Sequence, residues 1–248
     1  MDRALYVSMT GAKQIMQTQA IIAQNLANVS TAGFREDLHA YSAVPVNGAG
    51  YSTRVNSVAS TVGFSNQGGV KSQTGSPLDV SIRSSGWFAV QASDGSEAYT
   101  RAGDFHLTAE GMLTTADGLP VLGDGGPITV PPSNTMSIGS DGTISIVPQG
   151  VGPKGSGAVA RLKLVNPPAA QLVKGEDGLM RLKDRTPAPP DASVQVDSGS
   201  LEGSNVNPAR SLVDMIQASR MFDMQIKLMT SIDQNAQSSQ KLVTPSGA

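Results

Sequence analysis

The sequence predicts an α+β fold in which paired N- and C-terminal helices form a coiled-coil-like layer and an antiparallel all-β domain is inserted between them. Three observations predict it. Apolar residues recur at heptad spacing at both ends of the chain, the periodicity turns strand-like between them, and glycine-containing turn dipeptides recur through the middle.

At the start, Leu5, Ser8, Ala12, Ile15, Gln19, Ile22, Leu26 and Val29 alternate at spacings of three and four, the seam of a helix that meets another helix, with Met9 beside it. At the end, Leu212, Met215, Ser219, Phe222, Ile226, Met229, Asp233, Ala236, Gln240 and Val243 repeat the alternation, and the stripe weakens after Met229. Asn207 is a suitable N-cap and Pro208 fits a first helical turn, where a missing backbone donor is tolerated. At 1.5 Å per residue the two stretches would span roughly 37 and 48 Å, so they can lie side by side. Their polar positions are largely uncharged, among them Gln14, Gln17, Gln24, Gln217, Gln225, Gln234 and Gln237. Two readings fit this pattern: a two-helix layer on the protein's own core, or packing between subunits. The glutamines favour the second, because a solvated helix carries more charge.

In the middle, runs such as Trp87 to Val90, Phe105 to Leu107, Ile144 to Val147 and Leu162 to Val165 read as strands. Asp94-Gly95, Glu110-Gly111, Asp117-Gly118, Asp124-Gly125, Asp141-Gly142 and Asp177-Gly178 supply tight turns between them. The expected organisation is an N-terminal helical segment over 1–33, an extended linker over 34–75, the β domain over 76–185, a return linker over 186–206 and the C-terminal helix over 207–248.

Composition narrows the function classes. Of the 248 residues 39% are hydrophobic and only 15% charged, with 27 glycines and 15 prolines, which describes a turn-rich chain whose surface suits packing against protein. A net charge of −2 provides no field for nucleic acid phosphates. Without cysteine there is no disulfide framework, thiolate zinc site or cysteine nucleophile. Neither a leader-like apolar core nor a membrane-length run is found, so no direct membrane insertion is expected, and export would use a route without a cleaved signal peptide.

No chemistry-bearing constellation emerges, so no catalytic residue, cofactor or metal ligand is assigned and the chain is not expected to be an enzyme. His39 and His106 lack companions at metal spacing. Residues 150–155 have dinucleotide-fingerprint spacing, but strand-like residues follow where a helix is required, so a hairpin tip is expected. Trp87 and Phe88 read as core for one sheet face rather than a carbohydrate platform. The rival reading, a secreted carbohydrate-binding or hydrolytic β protein, would need Trp87, Asp104 and His106 to converge in an exposed pocket, and it leaves both heptad ends unexplained.

The run Asn25-Leu26-Ala27-Asn28-Val29-Ser30-Thr31-Ala32-Gly33-Phe34 resembles the N-terminal signature of flagellar rod and hook proteins. Asn28 can cap local backbone, Gly33 permits a tight exit and Phe34 can anchor the turn on the helices. The resemblance extends through Ser85 to Val90, Tyr99 to Phe105, Gly111 to Leu113 and Gly118 to Gly123. It also covers Leu201, Glu202, Gly203, Ser204, Asn205, Val206 and Asn207, which resemble the lead into the family's last helix. Within the family, residues 1–5, 10–14, Gly203 and 220–225 look more like a proximal-rod than a distal-rod member.

The resemblance implies an axial subunit of the basal-body rod in the periplasmic space, exported through the flagellar type III apparatus. Its terminal helices would line an inner tube and its β domain would form an outer layer. Its partners would be copies of itself and homologous proximal- and distal-rod proteins, added by heterologous, non-closing contacts. The assembly residues would be Leu5, Met9, Ala12, Ile15, Ile22, Leu26, Val29, Leu212, Met215, Phe222, Ile226 and Met229.

Overall fold

The computed structural model describes residues 2–45, 55–148 and 156–243, and the fold is α+β. The chain divides into two compact units. One comprises Met1–Ala27, Asp37–Gly63 and Asn207–Ala248; the other comprises Asn28–Glu36 and Phe64–Val206.

The first unit is built on α1 (Asp2–Ala27) and α2 (Pro208–Val243). Helix α1 stops before Val29 because the next residues form a turn: the Asn28 carbonyl accepts the Thr31 amide at 3.3 Å and the Asn28 Oδ1 accepts the Thr31 hydroxyl at 3.1 Å. Helix α2 starts as the sequence predicts, with Pro208 first and the Asn207 side chain accepting the Arg210 amide at 3.1 Å. Residues 34–75, read from composition as an extended linker, carry three strands. Two of them, β1 (Asp37–Pro45) and β2 (Val55–Phe64), form a two-stranded sheet. β1 is almost wholly exposed and so lacks the alternation that marks a half-buried strand. Asn25 holds its start at both edges, donating to the Asp37 carbonyl at 3.1 Å and accepting the Asp37 amide at 3.0 Å.

In the second unit, β3 (Lys71–Gln73) and β4 (Val80–Ile82) pair with the late strands Ser200–Glu202 and Val196–Ser198, which lie in the stretch read as a return linker. β5 (Trp87–Gln91) and β6 (Glu97–Thr100) are central in a five-stranded antiparallel sheet, flanked by Leu164–Val165 on one side and by Met180–Leu182 and Leu172–Lys174 on the other. β7 (Phe105–Leu107) and β8 (Leu113–Thr115) form a hairpin, and Ser133–Ile138, Thr143–Pro148 and Gly157–Arg161 form a three-stranded meander.

Trp87 and Phe88 are both buried, but on opposite faces of the sheet, because successive strand residues point opposite ways. Phe88 joins the larger core and meets Phe105 edge-on at 5.2 Å, whereas Trp87 packs with Ala89, Tyr99, Val165, Leu172 and Met180. Gly95, Gly111, Gly118, Gly142 and Gly178 adopt the positive φ their turns require; at Asp124-Gly125 that role falls to Gly126. The dinucleotide-like spacing at 150–155 lies outside the described residues.

Candidate assembly surfaces and the motif junction

The N-terminal signature and the lead into the last helix meet inside the β unit. Gly33 has φ +66° and donates its amide to the Glu202 carbonyl at 2.7 Å. A Cβ there would stand 2.2 Å from Ala102 N and Arg101 C, so only glycine fits. Asn205 ties the same strands together. Its amide donates to the Phe34 carbonyl at 3.3 Å, its Oδ1 accepts the Glu36 amide at 2.7 Å, and its Nδ2 donates to the Gln67 carbonyl at 3.0 Å. The Phe34 ring carries the Lys174 ammonium 4.0 Å above it, a contact made within the β unit.

At the centre lies a buried ionic triad. Glu202, 1% exposed, receives Arg35 Nη2 at 2.7 Å on one oxygen and the Arg101 Nη1 hydrogen bond at 3.0 Å on the other, and the Gly69 amide adds a third contact at 3.0 Å. Arg35 also donates to the Gln67 carbonyl at 2.6 Å and Arg101 to the Ser84 carbonyl at 2.9 Å. Both guanidiniums lie over the Trp87 ring, at 5.9 and 5.4 Å from its centroid, and Phe64 meets that ring edge-on. Burial pulls the Arg101 guanidinium below its ordinary pKa; Glu202 opposes this and Arg35 adds to it. One carboxylate thus neutralises one of two cations, and the aromatic face and backbone carbonyls accommodate the other.

Sequence reading singled out Glu202 as a motif residue but missed Arg35 as its partner. The only signal for Arg35 was its place directly after Phe34 in a chain poor in charge.

The helical unit holds the residues expected to make assembly contacts, apart from Val29, which lies in the turn of the β unit. Ile15, Ile22 and Ala218 are buried together, with Met215 and Phe222 packed against them. Ala12 is buried; Leu5, Leu26 and Met229 are half-buried. Met9 and Leu212 are each 50% exposed and Ile226 41%. Polar side chains enter the same layer: Ser8, Gln14, Thr18 and Asn25 on α1 and Ser211 on α2 are buried, and the Thr18 hydroxyl lies 2.7 Å from that of Tyr41.

Around the outside, Tyr6, Met16, Val213, Ile216, Met221, Met224 and Leu228 are each more than two-fifths exposed. A helix in contact with only one neighbour shows a single apolar stripe, and α2 shows apolar residues on several faces. No helix among the described residues is long and apolar enough to cross a membrane.

Elsewhere, His106 is exposed with its Nδ1 3.1 Å from the Asp104 carbonyl, and His39 meets Tyr41 edge-on. Burial pushes the Asp104 carboxyl above its ordinary pKa. A cavity of about 450 Å³ in the β unit is lined by Glu97, Asp124, Arg161, Lys163 and Asp191, and by none of Trp87, Asp104 or His106. With Trp87 buried, these three side chains do not form the exposed pocket that a carbohydrate or hydrolytic site would need.

The chain thus pairs a helical unit whose apolar residues are left partly uncovered with a β unit closed by the signature segments, the features of a structural protein that packs against other protein. The family profile described as "Flagella basal body rod protein" matches residues 5–35, that of the "Flagellar hook protein FlgE/F/G D1 domain" matches 81–146, and that of the "Flagellar basal body rod FlgEFG protein C-terminal" matches 197–242. The chain is 43% identical to flagellar basal-body rod protein FlgF of Salmonella typhimurium over 99% of its length and 100% of that protein's, and equally so to FlgF of Escherichia coli. To flagellar basal-body rod protein FlgG of Bacillus subtilis it is 30% identical over 94% of its length and 96% of that protein's. The chain belongs to the flagellar basal-body rod protein family, and within it resembles these FlgF relatives more closely than this FlgG relative.

Proposed function

We infer that this chain is a structural subunit of the flagellar basal-body rod and propose that it occupies the proximal segment, packing helically against copies of itself and homologous rod proteins. The observation that carries this reading is the exposed apolar surface of α1 and α2. Met9, Met16, Leu212, Ile216, Ile226 and Met224 would each leave water on contact with neighbours, and patches of this kind mark protein interfaces. Ile15, Ile22, Met215 and Phe222 hold the coiled-coil-like helix pair together; Met9, Leu212 and Ile226 meet adjoining subunits. Leu5, Ala12, Leu26, Val29 and Met229 complete the set.

The proposal carries with it delivery through the flagellar type III apparatus to the periplasmic rod. Higher identity to FlgF than to FlgG supports the proximal position. The test is electron microscopy of basal bodies from cells lacking the gene. A rod stopped short of its distal segment, without a hook, fits the proposal; a remnant reaching the distal segment transfers the role to the distal position, and complete rods refute it.

A further inference from the structure

Within the α1–α2 contact, Gln225 differs from its neighbours. Ile15, Ile22, Ala218, Met215 and Phe222 make an apolar seam, yet the Gln225 Oε1 is buried and accepts no hydrogen bond among the described residues. Its side chain lies over Gly11. A Cβ built there would stand 3.4 Å from both Cδ and Nε2 of Gln225 and 3.6 Å from Oε1, so α1 lacks a side chain where α2 presents a long polar one.

Each partner is unfavourable alone: glycine weakens a helix interior, and an unpaired buried amide oxygen loses its hydration. Together they form a knob in a notch. Gly11 meets Gln225 while the later Ile15 and Ile22 meet the earlier Phe222, Ala218 and Met215, so the helices run antiparallel. Heptad stripes by themselves allow such a pair to slide by seven residues, about 10 Å, with similar faces still in contact. A slip of that size in one direction would set Gln225 against Thr18, which is occupied by its contact with Tyr41, and in the other would carry it from the notch to the position of Ala4 in the first turn of α1.

We propose that Gln225 seated over Gly11 is the register-setting contact of the helix pair, a positioning residue that lowers the pair's stability while excluding slipped pairings. This reading does not depend on the rod assignment.

The chain has no cysteine, so cysteines introduced at the exposed positions Ala23 and Lys227 take spin labels selectively. Electron–electron double resonance on the full chain should give one distance for the parent and for Gln225→Asn, which keeps the amide. Gln225→Leu should add a second population displaced by up to about 10 Å while raising the midpoint of helix melting in far-ultraviolet circular dichroism. Gly11→Leu, which fills the notch, should also give a second population. A single unchanged distance in Gln225→Leu or Gly11→Leu, a lowered midpoint in Gln225→Leu, or a second population in Gln225→Asn would each overturn the proposal.

Discussion

Replacing Glu202 by Gln tests the buried triad most directly, because its effect should be larger than that of removing Arg35. In the folded chain Glu202 is the carboxylate between Arg35 and Arg101. Glu202→Gln leaves two buried guanidiniums facing each other over Trp87 with no counter-charge, and removal of one member of a buried charge network costs about 3–5 kcal/mol. Arg35→Met, by contrast, leaves the Glu202–Arg101 pair intact and removes one of the two cations; it loses the 2.7 Å ion pair to Glu202 and the bond to the Gln67 carbonyl, offset by relieved desolvation and cation–cation repulsion, for a net cost of about 1.5–3 kcal/mol. The assay is intrinsic to the protein, since Trp87 is the only tryptophan and lies against both arginines. In urea titrations followed by its fluorescence, a slope of about 2 kcal/mol/M converts the larger loss into a midpoint shift of roughly 2 M and the smaller into about 1 M. Arg35→Met as damaging as Glu202→Gln would refute the charge reasoning and indicate that packing of the Arg35 stem dominates.

Four further outcomes are expected. Gly33→Ala, which meets backbone 2.2 Å away at positive φ, should destabilise the β unit by more than about 3 kcal/mol in the same fluorescence assay; a fully stable variant contradicts the close approach. Burial pushes the Tyr99 phenol up to about 12, opposed by the Ala188 amide it accepts and reinforced by Glu97. Its folded pKa lies above the unfolded value near 10, so its contribution is present below about pH 10 and fades as pH rises through 12; a denaturant midpoint measured against pH should fall in that window, and less steeply in Tyr99→Phe. Asn25→Ala removes both bonds to Asp37 and should cost the helical unit about 1–3 kcal/mol, read as earlier helix melting. Ile216→Asp, at a position already 53% exposed, should leave circular dichroism unchanged yet abolish motility; a motile strain would remove α2's outer face from the assembly surface.

The helices, the Asn207 cap, the turn glycines and the strands around Trp87, Phe105 and Ile144 were legible because each depends on local spacing or local backbone chemistry. The helix seam was legible only in part. Met215 and Phe222 pack on the seam as the heptad implies and Met229 is half-buried, but the more buried companion positions are Ser211, Ala218 and Gln225 rather than Leu212, Ser219 and Ile226. When a helix carries apolar residues on several faces, periodicity cannot choose which of them meets the chain's own partner. The ribbon of β1 and β2 escaped notice because an exposed strand has no burial to impose alternation.

The sequence by itself determined the α+β class, the order of helical ends and β middle, and the signature residues through Gly33 and Glu202, since these follow from interactions among neighbours in the chain. Only the tertiary structure decided that Arg35 and Arg101 share the Glu202 carboxylate over Trp87, and that Gln225 sits in the notch at Gly11. Those contacts join residues far apart in sequence, and a pairing of that kind becomes visible only once the backbone has folded to bring them within a few ångströms.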